Sequence, residues 1–317
     1  RASQAQWQGH RTVCKWFSPV GVGLFGAAGQ PGLSTLEVIE IAIVFYGKYD
    51  MDLRLQGKTA IVSGGSIGIG KAVARQLARE GVDVAIAARN MAALNAAASE
   101  IANETGRRVL SIQTDTADDA KVREMVALAA GRFGRIDILV NAAANPGGQS
   151  GKPPGLAETT YELLMTEMNT KVMGYLRTAR ECAPHMKKNG WGRIINISGL
   201  AARTTGNIVG SVRNVSVSAL TKNLADELGP FGINVTCVHP ATTRTEKSAG
   251  VFERAAATQN LSIQEIEKQM GSKNTLGRIV DAEEVADVIA FLASPRSVSI
   301  NGDSIAVGGG AKGSIHY

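Results

Sequence analysis

Eight residues, Ser63-Gly64-Gly65-Ser66-Ile67-Gly68-Ile69-Gly70, run directly into Lys71-Ala72-Val73 and have the composition of a phosphate seat. Glycines let a backbone turn tightly and approach a pyrophosphate, and a helix N-terminus presents unpaired N–H donors to it. The motif lies between a short apolar run, Ala60-Ile61-Val62, and a helical stripe through Val73, Leu77 and Ala78. That context makes a weak glycine pattern a strong one. Gly64, Ser66, Ile67, Gly68 and Ile69 are therefore expected around the phosphates of a dinucleotide. A second apolar run ends Ala85-Ile86-Ala87-Ala88-Arg89. A carboxylate at that tip would accept from a ribose 2′-hydroxyl and repel a 2′-phosphate. Ala88 and Arg89 offer no carboxylate and one guanidinium, so NADP(H) is expected over NAD(H), with a solvated surface arginine as the alternative. Asp115-Thr116 ends a third run, and both residues are expected at the cofactor, with Asp115 placed for an adenine amino group. Asn141 ends a fourth, where its amide could knit neighbouring strands.

These residues need elements to hold them, and the chain from Lys58 onward supplies an alternation of strand and helix patterns. Strand-like runs recur at Val82 to Ala88, Val109 to Gln113, Ile136 to Val140, Ile194 to Ile197 and Ile233 to Val238, with helical stretches between them. Such alternation implies a parallel sheet covered by helices on both faces, with ligands beyond the carboxyl ends of the strands. The 317 residues are 44% hydrophobic and 20% charged, which excludes disordered, collagen-like and coiled-coil classes. Three cysteines, odd in number and without a CxxC pair, argue against a disulfide framework and a zinc site, so no metal is expected. They fit a reducing, cytoplasmic setting. The net charge of +6 is scattered, which argues against nucleic acid and membrane surfaces and is compatible with an anionic small-molecule substrate.

Residues 1–50 read differently. They hold two of the three tryptophans, show no sustained period, and precede the first methionine, Met51. They are expected to be a leader outside the fold, with a targeting segment or an oligomer arm as alternatives. The apolar run Ile39 to Tyr46 is interrupted by Glu40 and far shorter than the ~20 residues of a membrane span.

Residues 55–310 resemble the short-chain dehydrogenase/reductase family. Its TGxxxGxG loop is matched with Ser63 in place of threonine, and its NNAG segment is similar to Asn141-Ala142-Ala143-Ala144. Its PGxxxT segment is similar to Pro240-Ala241-Thr242-Thr243-Arg244-Thr245, and its last strand and glycine ending to Ile300 through Gly310. The resemblance implies an α/β fold, a Rossmann-type doubly wound parallel sheet in three α/β/α layers, as a single domain over residues 51–317. It also implies cofactor contacts at Asn141, Ala142 and Ala143, with Thr245 holding the nicotinamide carboxamide. Residues 246–275 fall where the family has a substrate lid. The helix carrying Val212, Val215, Leu220, Leu224 and Leu228 falls where the family packs a symmetry mate, so a homodimer or homotetramer is expected. A fully buried helix in a monomer is the alternative.

The resemblance breaks at the chemistry. The family's tetrad is Asn, Ser, Tyr and Lys, with Tyr and Lys four apart on one helix face. The five tyrosines are Tyr46, Tyr49, Tyr161, Tyr175 and Tyr317, and none is followed by lysine four residues later. Aligning Leu220 to Leu228 with the family's helix puts Gly210 at the tyrosine position and Asn214 at the lysine position. Counting back from Pro184 puts Lys171, rather than Asn169, at the asparagine position. The serine is Ser198 or its slot is Gly199. Ser198, Lys171 and Asn214 are thus the candidate catalytic residues, with Lys171 as an acid or a carbonyl-attacking amine and a surface lysine as the alternative. Arg203 and Arg213 are expected at solvent or an interface, with an anionic substrate group as the alternative, and His239 is expected to be structural. Three functions stay open: an oxidoreductase on a small carbonyl or alcohol with an altered proton relay, a non-redox lyase, hydratase or isomerase, and a nucleotide-binding regulator without turnover.

Overall fold

The computed structural model describes residues 51–144 and 153–313; the expected leader, residues 1–50, lies outside the described residues. Strands β1 (Thr59–Ser63), β2 (Asp83–Ala88), β3 (Val109–Gln113), β4 (Ile138–Asn141), β5 (Gly192–Ile197), β6 (Ile233–Pro240) and β9 (Ser304–Val307) form one sheet in the order β3-β2-β1-β4-β5-β6-β9. Every pairing in it is parallel. Two further strands, β7 (Thr243–Arg244) and β8 (Val280–Asp281), pair in parallel with each other, Thr243 opposite Val280 and Arg244 opposite Asp281.

Helices cover both faces because the strands are apolar on both. Side chains alternate across the sheet, so Ala60 and Val62 join one buried cluster while Ile61 joins the other. On the first face α1 (Gly68–Arg79), α2 (Met91–Thr105) and α9 (Ala282–Leu292) supply Val73, Leu77, Leu94, Ile101, Val285 and Ile289. On the second, α3 (Asp119–Phe133), α5 (Gly174–Asn189) and α6 (Ile208–Leu228) supply Val122, Met125, Cys182, Met186 and Leu228. Local chemistry sets the helix ends. The Asp118 carboxylate accepts from the N–H groups of Ala120 and Lys121 to start α3, and Gly134, at φ +81°, ends it.

Three elements complete the region above the strands' carboxyl ends. Helix α4 (Tyr161–Met168) runs through a π-helical turn, Asn169–Met173, into α5. After β7 come α7 (Ser248–Gln259) and α8 (Ile263–Gly271), so the polar stretch 246–275 folds as two helices. Helix α6 is not fully buried: Val212 is 43% and Val215 50% exposed.

Candidate active site

The glycine loop packs against the segment that follows β4. A Cβ on Gly64 would lie 2.8 Å from backbone atoms of Ala142 and Ala143, and one on Gly70 would lie 2.2 Å from Gly64 O. Neither position has room for a side chain. Gly64, at φ +73°, also needs a left-handed backbone. The Ser63 hydroxyl, near the N–H groups of Ala142 and Ala143 at 3.3 and 3.4 Å, ties the two segments together. Ser66 is buried, whereas Ile67 and Arg89 are exposed and Ile69 is half-buried. The Asp115 carboxylate turns back to accept from Ala117 N–H at 3.0 Å, and Thr116 is buried beneath the π turn, donating to Thr170 O. Asn141, the last residue of β4, is fully buried and knits neighbouring elements. Its Nδ2 donates to Asn196 Oδ1 at 2.9 Å, its Oδ1 accepts from the Thr178 hydroxyl at 2.6 Å, and Asn196 Nδ2 donates to Thr221 Oγ1 at 3.0 Å.

The second cluster lies where β5 ends. Lys171, on the π turn, reaches across so that its Nζ donates to Ser198 O at 2.9 Å and to Asn214 Oδ1 at 2.8 Å. The Ser198 hydroxyl donates to Asn214 O at 2.9 Å. The three candidate catalytic residues therefore form one buried hydrogen-bonded group. Asn169 takes no part, because its side chain and carbonyl accept from the Arg177 guanidinium. The π turn explains the difference: an inserted residue rotates the helix face, so Lys171 rather than Asn169 points at the sheet. Gly199 is extended backbone, and a Cβ there would lie 3.3 Å from Asn214 Nδ2.

Burial pushes the Lys171 ammonium down to about 7, aided by the Arg213 guanidinium and opposed by the Cys237 thiol and Glu167 carboxylate. A neutral amine has two hydrogens, which match the two acceptors present and leave its lone pair over; an ammonium carries a third hydrogen. The group is therefore poised to gain or lose a proton near neutrality.

Gly210 is buried, and its N–H donates at 2.7 Å to the Asn207 side chain that caps α6. A Cβ at Gly210 would meet that same Asn207 amide at 2.7 Å. Tyr175 is fully buried, donates to Ile197 O at 3.0 Å, and is pushed well above the ordinary phenol range by its burial. Arg213 is not a surface charge: it is buried and pairs with Glu167 of α4, because α4 packs directly on α6. Arg203 donates to Ser304 O at 2.8 Å, and buried His239 approaches the Ser218 hydroxyl at 3.4 Å through Nε2.

One acidic residue at the nucleotide end was not singled out by motif. Glu246, next to Thr245, accepts from Gly68 N–H at 2.8 Å through Oε2. It could have been noticed only as a carboxylate placed directly after the PGxxxT-like segment. Among the described residues, no group of three His, Cys, Asp or Glu side chains could hold a metal, and no helix is long and apolar enough to cross a membrane.

A family model described as Enoyl-(Acyl carrier protein) reductase matches residues 64–312. The short-chain reductase protein NovJ of Streptomyces niveus is 32% identical over 262 residues, which span 80% of this chain and 94% of that protein. The NADPH-dependent reductase BacG of Bacillus subtilis (strain 168) is 30% identical over 81% of this chain and 99% of its own length. Among solved structures, L-sorbose reductase from Gluconobacter frateurii, complexed with NADPH and L-sorbose, superposes with a TM-score of 0.78 at 27% identity. That match covers 84% of this chain and all of the other. With the parallel seven-stranded sheet and its glycine loop, these matches place the chain in the short-chain dehydrogenase/reductase family.

Proposed function

We propose that the chain is an NADP(H)-dependent oxidoreductase interconverting a small carbonyl compound and its alcohol, with Lys171 and Asn214 doing the work of a tyrosine–lysine pair. One observation carries this reading: Lys171 Nζ lies 2.9 Å from Ser198 O and 2.8 Å from Asn214 Oδ1 where β5 ends. The positions given to asparagine and lysine by the family resemblance hold lysine and asparagine instead, so the charge comes from the π turn rather than from α6. Gly210 supplies no phenol at the tyrosine position. Reduction of a carbonyl needs a proton at its oxygen, and Lys171 is assigned that delivery, being recharged from water afterwards. In alcohol oxidation its neutral amine takes the proton.

The first turn of α1 and the side-chain-free cradle at Gly64 and Gly70 fit a dinucleotide's phosphates, and exposed Arg89 fits a 2′-phosphate. Asp115, the segment Asn141 to Ala143, and Thr245 complete the proposed nucleotide contacts. The nucleotide supplies a hydride when bound. The NADPH dependence of BacG and the NADPH complex of L-sorbose reductase support the choice of cofactor. Helices α7 and α8 are the proposed substrate lid, and a homodimer or homotetramer in a cytoplasmic setting completes the reading.

The test combines NADPH and NADH titration by fluorescence with a carbonyl panel that follows NADPH consumption. Lys171→Met is expected to lower kcat roughly 10²–10⁴-fold while leaving NADPH affinity unchanged. Its kcat profile should also lose a break near pH 7. Full turnover in Lys171→Met, or no binding of either nucleotide, overturns the proposal. A second reading, a nucleotide-binding protein without turnover, is favoured by the 4% exposure of Lys171, and binding without consumption across the panel would select it.

A further inference from the structure

Helix α1 starts without a cap of its own. Ile67 stands at the capping position and has no side-chain oxygen, so the first N–H groups look outward for an acceptor. The one at Gly68 finds it far along the chain, in Glu246 Oε2 at 2.8 Å, while Glu246 Oε1 lies 3.7 Å from Lys71 Nζ. Lys71 keeps a second partner, Glu100, at 2.7 Å. A cleft of about 390 Å³ opens here, lined by Gly68, Lys71, Arg75, Thr245 and Glu246 among others.

The neighbours of Glu246 make the contact more than a cap. Arg244 pairs with Glu267 of α8 at 2.6 Å and with Asp281 of β8 at 3.2 Å. Thr245 lies against the glycine loop, where a Cβ on Gly68 would be 3.5 Å from its methyl group. Its N–H donates to Ser248 Oγ at 2.8 Å, and Ser248 N–H donates back to Thr245 O at 2.9 Å, rooting α7. Arg244-Thr245-Glu246 is thus a three-residue strap that links α7, α8 and the glycine loop.

We infer that Glu246 is a tethered stand-in for phosphate: its carboxylate closes the nucleotide seat, and an arriving nucleotide displaces it from the Gly68 N–H. This rests on the cofactor reading above. A carboxylate and a pyrophosphate call on the same N–H donors, and two anions a few ångströms apart repel each other. Half-exposed Glu246 is free to swing into water when displaced, whereas Lys71 stays held by Glu100. Nucleotide affinity is therefore lowered by the Glu246 carboxylate.

The experiment compares wild type with Glu246→Gln in fluorescence-monitored titrations of NADPH and in calorimetric titrations of adenosine 2′-monophosphate, which has no pyrophosphate. Glu246→Gln is expected to bind NADPH roughly fivefold tighter, in line with a helix-terminus charge effect, with no gain for the monophosphate. Equal NADPH affinity in the two proteins overturns the inference, as does an equal gain for both ligands, which would mark a general charge effect. Failure of both proteins to bind either NADPH or NADH overturns the cofactor reading itself and the strap's role with it.

Discussion

Below about pH 7 the folded chain holds an ammonium at Lys171 that the unfolded chain would keep in water, and the difference works against the fold. The folded group titrates near 7 and an unfolded lysine near 10.5, so between those values the native state binds fewer protons. Stability therefore rises with pH across that window and levels off above it. Lys171→Met has no such titration, although it leaves Ser198 O and Asn214 Oδ1 without their donor at every pH. In urea unfolding the wild type should gain about 3 kcal/mol relative to Lys171→Met between pH 6.5 and 9.5. A constant difference between the two proteins would mean that the lysine titrates normally. At this scale Lys171 was legible because the count back from Pro184 runs through regular helix as far as Gly174. The partner that holds Asn169 away from the site was not, since it depends on Arg177 folding back over the π turn.

At the scale of elements, hydrophobic period and glycine punctuation sufficed for the strands of the main sheet that they marked. Ile61 and its neighbours announce a strand buried on both faces without any tertiary information. The pairs that choose their partners in space were not legible. Arg213 reads as a surface charge until α4 is laid on α6 and supplies Glu167, and Glu246 reads as a loop acid until β7 pairs with β8 and aims the strap at α1. The polar thread through the sheet was legible only at Asn141; Asn196, Thr178 and Thr221 complete it. That thread joins β4 and β5 to α5 and α6 from inside the core, where an unpaired amide is expensive. Asn196→Leu strands the Asn141 Nδ2 donor, while the Thr221 hydroxyl keeps its donation to Val217 O, and should destabilise the fold by about 2 kcal/mol, read from the urea midpoint. An unchanged midpoint would show that the thread is dispensable.

For the whole molecule, the apolar positions of α6 include a buried set, with Val217 and Leu228, and an outward stripe, Ile208, Val212 and Val215. Such a stripe suits a second copy. Val215→Asp should shift the particle measured by light scattering to a smaller size without lowering NADPH affinity. A wild-type monomer would refute the assembly proposal. The glycine loop and the Lys171 group both stand above the carboxyl ends of the parallel strands, so one rim of the sheet brings the proposed nucleotide seat and the proposed proton-handling group to the same side.

The facing amide and amine of Asn214 and Lys171 also constrain the history open to this chain. Installing lysine at 214 alone would replace the oxygen that accepts from Lys171 with a second amine, and installing asparagine at 171 alone would leave two amides and no amine. Each single step breaks the bond between the two side chains, so on the proposed reading positions 171 and 214 count as one locus.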